Sequence, residues 1–529
     1  MKVLIAEKIA EDGIGLLRSD PEVEVDVKVG IATEELAGLI ADYQGLVVRS
    51  QVKVRAEAID AGDQLICIAR AGAGVDNIDL EAATRRGIVV VNSPQGNTLA
   101  ATEHTMAMLL AMVRNIPAAG VHLRSGSEWK QRSKFMGVEL YDKVLGVMGL
   151  GNIGREVARR AQGFDMNVIA YDPYITAERA QRMNVRLVDL DTLMAESDFI
   201  TLHVPDTEET RHLINRELLA KAKDGIRIIN VARGKVVDEE ALVEALKSGK
   251  VAGAALDVFE KEPPTGSPLL EMPNVVVTPH LGASTEEAQS RVAVDVCEQM
   301  LDVFHGRPPR SAVNMPAVPA DEFVELQPYL VLAERIGKMQ AALAEGAVNA
   351  VEVEYSGELA SKEMGPATYA LLKGVLQPFL EETVNFINAR VVAESRGVRV
   401  VESKSTTRHD YPSVITVTVK CAGGDHLIAG TLFGRNEPRI VRIDQYRVDF
   451  PPEGHLMIAM HRDAPGTIGR VGTILGSRKI NIAGMHVGRT EPGGRAVMAL
   501  AVDSDIPADV LQEIRTVAGM EDPKVVHLF

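Results

Sequence analysis

The sequence predicts an α/β protein with two parallel-sheet domains, one inserted in the other, followed by an α+β domain and a small βαββαβ domain. Up to about residue 305, short β-branched runs alternate with segments of helical period, which is typical of parallel sheets covered on both faces. The length of 529 residues indicates three or four domains at about 150 residues each. Residues 455–529 follow the order strand, helix, strand, strand, helix, strand, as in ferredoxin-like folds.

The strands of the first two domains are predicted from continuous apolar runs. These runs are Leu46–Val48, Leu65–Ile68, Ile88–Val91, Val144–Met148 and Asn274–Val277. Long helices are predicted over about Leu99–Ile116 and Glu286–His305. The second helix is expected to begin with a capping box, in which Ser284 is followed three residues later by Glu287.

Prolines indicate where the later domains begin. The stretch from Pro308 to Pro319 is predicted to be a linker. Residues 321–345 and 369–397 are then expected to be helical, and Ser413–Val419 to be a strand. In the last domain the predicted elements are His455–Met460, Thr467–Arg478, Ile480–Val487, Arg495–Val502, Ala508–Gly519 and Lys524–Leu528. The predicted domains are 1–97 with 283–318, 98–282, 319–454 and 455–529.

Composition excludes several classes of function. The net charge of −16 has the wrong sign for a protein that binds nucleic acid or a membrane surface. Aromatic residues make up 4% of the chain, and the cysteines number three, so neither base stacking nor a disulfide framework or cysteine-based zinc site is expected. The start has no basic stretch followed by an apolar core. We therefore expect a soluble cytoplasmic protein with no metal site.

A glycine motif predicts a dinucleotide site. Residues 149–154 read Gly-Leu-Gly-Asn-Ile-Gly, between a predicted strand and a predicted helix, and Asp172 ends the next strand. Glycines allow the backbone to approach a pyrophosphate, and the helix N-terminus supplies amides. Asp172 would accept hydrogen bonds from a ribose diol and repel a 2′-phosphate, which favours NAD over NADP. A glycine turn without a ligand is the alternative interpretation.

Three polar residues follow apolar runs after this motif. Arg233 follows 228–232, Glu262 comes shortly after 254–256, and His280 follows 275–279. The carboxyl ends of parallel strands are where ligands bind. A histidine can move a hydroxyl proton, a carboxylate can stabilise its protonated form, and an arginine can grip a carboxylate. Taken singly, these residues could equally be a surface ion pair, a solvated loop residue and a structural histidine.

These motifs together resemble the D-2-hydroxyacid dehydrogenases over about residues 1–318. The resemblance rests on the glycine motif with Asp172 and on the segments 230–234, 257–263 and 278–280. It implies two Rossmann-like domains, with Arg233 binding the substrate carboxylate, Glu262 orienting the histidine and His280 as acid and base. The glutamate argues against a formate dehydrogenase, whose pattern has glutamine there. The residues expected to bind NAD are Thr98, Gly149, Gly151, Asn152, Ile153, Gly154, Asp172 and Asp257.

Substrate contacts are expected from the first domain and from a basic stretch. Glycines in 70–77 would let backbone amides approach a carboxylate, and 92–98 resembles the interdomain crossing of the family. The basic stretch, Trp129–Lys134, offers positive charge for a phosphate, although a solvated basic loop is as good an interpretation. The predicted substrate-binding residues are Arg49, Ser50, Gly74, Asn97, Arg132 and Lys134.

The last domain resembles the ACT domain, a regulatory amino-acid-binding module. Asp463 and Gly466 would hold the effector at the start of the first helix, and Asn481 would reach it across a subunit boundary. Helix capping and a turn are the alternatives for these residues. With an intervening domain before it, the order resembles the branch of the family that oxidises 3-phosphoglycerate and is inhibited by L-serine. That resemblance implies a homotetramer. A glyoxylate or hydroxypyruvate reductase and an NAD(H)-sensing corepressor are the competing hypotheses.

Overall fold

The structure, a computed structural model, describes residues 1–126, 129–316, 320–381, 383–407 and 410–529. The described residues form two parallel sheets, then a mixed sheet, then an antiparallel sheet. This order confirms the fold class predicted from the sequence. The predicted domain boundary at residues 318 and 319 lies outside the described residues.

Each sheet is formed by consecutive strands. The first, in the order β2-β1-β3-β4-β5, contains β1 (Lys2–Ile5), β2 (Glu24–Val27), β3 (Gly45–Val48), β4 (Cys67–Arg70) and β5 (Val89–Asn92). The second, in the order β12-β11-β10-β9-β6-β7-β8, contains β6 (Val144–Met148), β7 (Asn167–Tyr171), β8 (Arg186–Leu187), β9 (Phe199–Leu202), β10 (Ile226–Asn230), β11 (Val251–Leu256) and β12 (Val275–Val277). The third, in the order β14-β13-β15-β16-β17-β18, contains β13 (Val348–Gly357), β14 (Arg399–Ser405), β15 (Ser413–Cys421), β16 (Gly424–Phe433), β17 (Glu437–Ile443) and β18 (Tyr446–Phe450). The fourth, in the order β20-β21-β19-β22, contains β19 (Gly454–Arg462), β20 (Ile482–Arg489), β21 (Arg495–Val502) and β22 (Lys524–Leu528).

The helices of the described residues cover these sheets. In the first two sheets they are α1 (Glu11–Ser19), α2 (Leu36–Leu39), α3 (Ala56–Ala61), α4 (Leu80–Arg85), α5 (Thr98–Val113), α6 (Ile116–Arg124), α7 (Asn152–Gln162), α8 (Ala177–Gln181), α9 (Leu190–Glu196), α10 (Arg216–Lys221), α11 (Glu239–Ser248) and α12 (Glu286–Phe304). In the last two they are α13 (Ala320–Leu343), α14 (Gly365–Leu376), α15 (Ala389–Ser395), α16 (Thr467–Ser477) and α17 (Ala508–Arg515).

After the second sheet, the chain returns to the first sheet through α12. Val292, Ala293 and Val296 of this helix are buried in the same core as β1 and β4. The close approach of α1 requires a glycine, because a Cβ at Gly13 would lie 2.8 Å from the backbone of Ala293. The second sheet is therefore inserted between two parts of the unit that contains the first sheet.

The start of α12 differs from the prediction by one residue. The Thr285 hydroxyl, rather than that of Ser284, accepts a hydrogen bond from the backbone N–H of Ala288 at 3.2 Å. Ser284 instead belongs to the preceding turn, in which its own N–H donates to Leu281. The predicted capping box was wrong because two adjacent hydroxyl residues offer the same signal in the sequence.

Two predicted helices are interrupted in the structure. The first ends at Val113, where Asn115 adopts φ 54°, and α6 follows at an angle of 62°. The second, over 369–397, is divided into α14 and α15, with a 3₁₀ turn at Gln377–Phe379 after α14. Pro378 lies in this turn, and a proline cannot supply the N–H that would continue the α-helix.

The segment after α12 is attached to the first sheet rather than forming a free linker. Val313 donates its N–H to Val90 at 2.7 Å, and the Asn314 side chain accepts one from Val90 at 2.9 Å. The prolines of this segment favoured a linker because proline is rare in strands. The residues between the prolines, however, still have backbone N–H and C=O groups that form hydrogen bonds. The linker prediction was therefore wrong for residues 311–314, while Pro319 lies outside the described residues.

The third and fourth sheets share a core. Leu456 and Ile458 of β19 and Val526 of β22 are buried in one cluster with Ile336 and Met339 of α13. The last two units are thus continuous in their packing, although Pro451 and Pro452 separate them in the sequence. Among the described residues, no single helix is long and apolar enough to cross a membrane, and the bent pair α5 with α6 passes that test by length and composition only.

Candidate active site

The predicted catalytic residues lie at the carboxyl ends of three neighbouring strands. β10, β11 and β12 are adjacent and parallel in the second sheet. Arg233 comes three residues after β10, Glu262 six residues after β11, and His280 three residues after β12. Because the carboxyl ends of parallel strands lie at one edge, these three loops meet there.

Glu262 and His280 form a hydrogen-bonded pair. The Nδ1 atom of His280 lies 2.9 Å from Oε2 of Glu262, and both side chains remain partly exposed. The hydrogen bond and then the charge of Glu262 raise the pKa of His280, although burial opposes them. Burial alone would raise the pKa of Glu262, but His280 and the N–H of Phe259 together lower it. The pair is thus suited to hold a proton on the imidazole.

The loop that carries His280 is fixed by a buried carboxylate. Asp257 is fully buried, and its oxygens accept the N–H groups of Leu281 at 2.7 Å and Gly282 at 2.8 Å. His280 itself adopts φ 55°, a left-handed conformation that a bulky residue rarely takes unless its surroundings enforce it. Asp257 was predicted to bind cofactor; its hydrogen bonds here orient the loop that carries His280, and cofactor contact stays a prediction.

A further histidine supports this carboxylate. The Nε2 atom of His104, in α5, lies 3.2 Å from Oδ1 of Asp257 and 3.1 Å from the hydroxyl of Thr278. The Thr278 hydroxyl also donates to Asp257 at 2.6 Å. No local sequence pattern marks His104, since 153 positions separate it from Asp257. By contrast, burial lowers the pKa of His203 to about 3, so its imidazole stays neutral.

Arg233 spans from the second sheet to a loop of the first. Its Nε donates to Asp76 at 3.0 Å, and its Nη1 donates to the carbonyl of Ala232 at 2.8 Å. Gly74 makes room for the guanidinium, because a Cβ at that position would lie 2.0 Å from Nη2. Arg233 is therefore held between the two units. It can take this position only because residue 74 is a glycine.

Arg70 adds positive charge beside Arg233, and the predicted site residues did not include it. Its side chain is partly buried at the end of β4. Burial first, and then repulsion by Arg233, lowers the pKa of Arg70 to about 10. The Nε of Arg70 is buried without a hydrogen-bond partner. A partly buried arginine with an unused donor, next to a second arginine, is an arrangement suited to an anion.

The glycine motif forms a tight turn that leaves room at one point. Gly149 adopts φ 89°, and a Cβ at Gly154 would lie 1.9 Å from the carbonyl oxygen of Gly149. A Cβ at Gly151, by contrast, would meet no protein atom within 4 Å. Two glycines therefore serve the packing of the turn, whereas Gly151 faces open space beside the first residues of α7, Asn152 and Ile153.

Asp172 closes this turn. Its Oδ2 accepts the N–H of Leu150 at 2.7 Å, and its Oδ1 accepts the N–H of Tyr174 at 2.8 Å. The carboxylate therefore lies directly against the glycine motif, at the end of β7. The residues fit a dinucleotide, since the open space at Gly151, the α7 N-terminus and this carboxylate match a pyrophosphate and a ribose.

The crossing into α5 leaves two buried polar atoms without partners. These are Oδ1 of Asn97 and the hydroxyl of Thr98. Buried polar atoms are rarely unsatisfied, so both are available to a ligand.

Arg49 and Ser50 follow β3, and the Arg49 guanidinium donates only weakly to the carbonyl of Lys8 at 3.3 Å. Arg49 also contributes to the repulsion that lowers the pKa of Arg70. Arg49, Arg70 and Arg233 therefore form one basic cluster.

Arg132 and Lys134 are not brought to this cluster by the described fold. They lie in the exposed 3₁₀ turn Trp129–Phe135. Lys134 donates to Gln131 of the same turn at 2.7 Å. Within residues 129–316, neither side chain forms a hydrogen bond or ion pair with the loops that carry Arg233, Glu262 or His280.

The predicted effector residues lie at two ends of the fourth sheet. Asp463 follows β19, where its carboxylate accepts bonds from Arg489 at 2.6 Å and Gly493 at 3.2 Å, and Gly466 precedes α16 with φ 91°. Asn481 precedes β20 and donates to Asp503 at 2.7 Å. Across about seven strand positions the two ends are roughly 23 Å apart. One copy of the chain therefore does not bring Asp463 and Asn481 together.

Known proteins match this chain along its whole length. Three family models match: "D-isomer specific 2-hydroxyacid dehydrogenase, NAD binding domain" at residues 106–282, "D-3-phosphoglycerate dehydrogenase intervening domain" at 325–444, and "ACT domain" at 455–519. A curated D-3-phosphoglycerate dehydrogenase from Archaeoglobus fulgidus is 49% identical over 531 residues, which is 100% of both chains. The chain belongs to the D-3-phosphoglycerate dehydrogenase family.

Other members and related structures agree with this assignment. The D-3-phosphoglycerate dehydrogenase of Bacillus subtilis is 42% identical and covers 100% of this chain, with 99% of its own length matched. A solved D-lactate dehydrogenase from Aquifex aeolicus, complexed with NAD and lactic acid, is 30% identical with a TM-score of 0.55. It covers 60% of this chain and 100% of its own. The resemblance inferred from the sequence motifs is confirmed, and the NAD-binding domain of the family is present here.

Proposed function

We propose that the protein oxidises 3-phosphoglycerate at C2 to 3-phosphohydroxypyruvate with NAD, the first step of the phosphorylated route to L-serine. The observation that carries the proposal is the pair of Glu262 and His280, 2.9 Å apart, at one sheet edge with Arg233. This arrangement occurs in a chain whose full-length relatives are D-3-phosphoglycerate dehydrogenases. It supplies an acid/base and a carboxylate clamp, which a 2-hydroxyacid oxidation requires.

His280 is the proposed acid/base. Its Nδ1 faces Glu262, so its Nε2 is the nitrogen free to take the C2 hydroxyl proton. Glu262 stabilises the protonated imidazole, as the raised pKa of His280 indicates. NAD, when bound, supplies the hydride acceptor. The hydrogen on C2 leaves with its electron pair and the hydroxyl hydrogen leaves as a proton, so the alcohol becomes a ketone.

Substrate anions are assigned to the basic cluster. Arg233 would hold the carboxylate, with Gly74 and Asn97 beside it. Arg49 and Ser50 would contact the phosphate, and the partly buried Arg70 would support them by its charge. Arg132 and Lys134 remain proposed phosphate ligands, but they need an assembly to approach a site, since the described chain holds them on a separate exposed turn.

Cofactor contacts are assigned to the loop before α7 and to the crossing into α5. The proposed ligands of NAD are Thr98, Gly149, Gly151, Asn152, Ile153, Gly154, Asp172 and Asp257. The position of Asp172 against the glycine turn supports a preference for NAD. In the variant Asp172→Ala, the ratio of kcat/KM for NAD to that for NADP should fall, and an unchanged ratio would remove this role.

Regulation by L-serine through the ACT domain is part of the proposal. Asp463 and Gly466 would bind the effector in one copy and Asn481 would come from another, since one chain holds them at two ends of the sheet. This division supports an assembly of at least two copies, and we propose a homotetramer in the cytoplasm. The test is to follow NADH formation from 3-phosphoglycerate with and without L-serine, and NADH consumption with glyoxylate and with hydroxypyruvate. Preference for the last two would favour the reductase hypothesis.

A further inference from the structure

Three side chains at one end of the fourth sheet form a cluster outside the catalytic loops. His455 at the start of β19 and His527 in β22 are direct partners across the antiparallel pair. Their Nδ1 atoms lie 3.0 Å apart. Asp505, in the loop after β21, places Oδ1 4.0 Å from Nδ1 of His455 and 3.7 Å from Nε2 of His527. One ligand atom from each residue lies within 4.8 Å of the other two.

The two histidines face each other with nitrogen atoms, so only one proton fits between them. A metal ion would use the lone pairs of both nitrogens in place of that proton. Zinc bound to nitrogen at about 2.0–2.1 Å in a tetrahedral site implies ligand atoms about 3.3 Å apart. The histidine pair is within a few tenths of an ångström of this spacing. Asp505 is exposed, and its carboxylate would exchange the hydrogen bond that Oδ1 accepts from the N–H of Ile506 at 3.0 Å for a bond to the ion.

The histidine rings are held in place by neighbours. His455 meets Phe529 edge to face, with ring centroids 4.9 Å apart, and it meets His527 at 5.1 Å. The carbonyl of Phe529 accepts a hydrogen bond from Lys338 of α13 at 3.3 Å. Rings oriented by their surroundings lose little freedom on binding an ion, which favours affinity.

We propose that His455, Asp505 and His527 bind a divalent transition-metal ion of the zinc class, with water completing the coordination. Two imidazoles and one carboxylate suit such an ion better than magnesium or calcium, which prefer oxygen ligands. The ion would join the start of β19, the end of β22 and the loop before α17. It has no part in hydride transfer, since His280 belongs to the second sheet.

The position of the ion links it to the ACT region. Asn481, a proposed effector residue, donates to Asp503, which lies two residues before Asp505. Lys338 belongs to the unit of the third sheet. An ion on Asp505 would therefore hold the loop that Asn481 contacts and secure the C-terminus against α13. We expect it to raise the thermal stability of the full chain.

The experiment titrates Zn²⁺ into chelator-treated full-length protein by calorimetry. The variants are His527→Gln and Asp505→Asn, both at exposed positions. The matched control is His486→Gln, a histidine of β20 whose ring packs on Phe450 at 5.8 Å. We expect one equivalent of Zn²⁺ per chain that binds at least about tenfold more weakly in the two variants, as loss of a ligand requires, and unchanged in the control.

A second arm separates this site from the catalytic histidine. Zn²⁺ also has access to His280 and Glu262, so the titration is repeated with His280→Ala, which should keep the equivalent assigned to His455, Asp505 and His527. Melting curves with Zn²⁺ should show an upward shift that His527→Gln abolishes. The proposal is overturned if the wild type binds no Zn²⁺ in the micromolar range, or if His527→Gln and Asp505→Asn bind it as the wild type does.

Discussion

The position of Arg233 depends on a glycine from the opposite unit, which gives a sharp test of its role. A Cβ at residue 74 would lie 2.0 Å from Nη2 and 3.1 Å from Cζ of Arg233. The clash involves the far end of a flexible side chain, so the guanidinium moves rather than the backbone. In the variant Gly74→Ala we therefore expect an intact fold with Arg233 displaced from the substrate carboxylate.

The magnitude follows from the hydrogen bonds that are lost. A hydrogen bond to a charged group contributes about 1.5–3 kcal/mol. Since about 1.4 kcal/mol corresponds to tenfold, losing one of two bonds to the carboxylate lowers kcat/KM for 3-phosphoglycerate roughly 10- to 150-fold. The assay is the initial rate of NADH formation over a range of 3-phosphoglycerate concentrations, with a melting curve on the same sample.

The control is Gly15→Ala, in which the new methyl group on exposed α1 meets no atom within 4 Å. This variant should match the wild type in kcat/KM and be at least as stable. If Gly74→Ala keeps the wild-type kcat/KM with an unchanged melting temperature, Arg233 does not need this position to bind substrate.

Three further predictions concern the acid/base and the cofactor turn. Glu262→Gln removes the carboxylate that raises the pKa of His280; because the oxidation needs a neutral imidazole, the acid limb of the kcat/KM pH profile should move to lower pH, and an unmoved limb would contradict the pairing. Gly151→Ala adds a methyl group in open space, so we expect an unchanged melting temperature but a KM for NAD that rises several-fold; an unchanged KM would show that the cofactor does not approach there. Gly154→Ala places a Cβ 1.9 Å from the oxygen of Gly149, so it should destabilise the fold by about 1–3 kcal/mol, measured by denaturant unfolding, and wild-type stability would contradict the observed packing.

The meeting of the proposed catalytic residues at one edge of the second sheet was predictable because its signals are local. Each apolar strand is followed within a few residues by one of these polar side chains, and parallel strands place their carboxyl ends together. Arg233, Glu262 and His280 therefore needed no knowledge of long-range contacts. The glycine turn with Asp172 was predictable for the same reason, since strand, turn and helix follow one another along the chain.

Residues that act through distant partners were not predictable. His104 reaches Asp257 from α5, 153 positions away, and no local pattern marks it. Arg70 ends a strand as many surface arginines do, and only its burial beside Arg233 distinguishes it. His455 and His527 become neighbours because β19 and β22 pair antiparallel, and the sequence does not state which strands pair.

Packing between units was also hidden from the sequence. Pro451 and Pro452 indicated a domain boundary, yet Leu456 and Val526 are buried in one core with residues of α13. Hydrophobic patterning shows which face of an element is buried but not against what. For the same reason, the segment 311–314 gave no sign of its hydrogen bonds to β5.

We propose that His280, held by Glu262, is the base in oxidation of 3-phosphoglycerate. The most direct measurement compares the initial rate of NADH formation from 3-phosphoglycerate in the wild type and in His280→Ala, with folding checked by melting. We predict clear turnover in the wild type and a loss of roughly 10²–10⁴-fold in the variant, as for removal of a general base. The absence of NADH formation by the folded wild type would contradict the proposed reaction, and a near-normal rate in His280→Ala would contradict the role of His280 as its base.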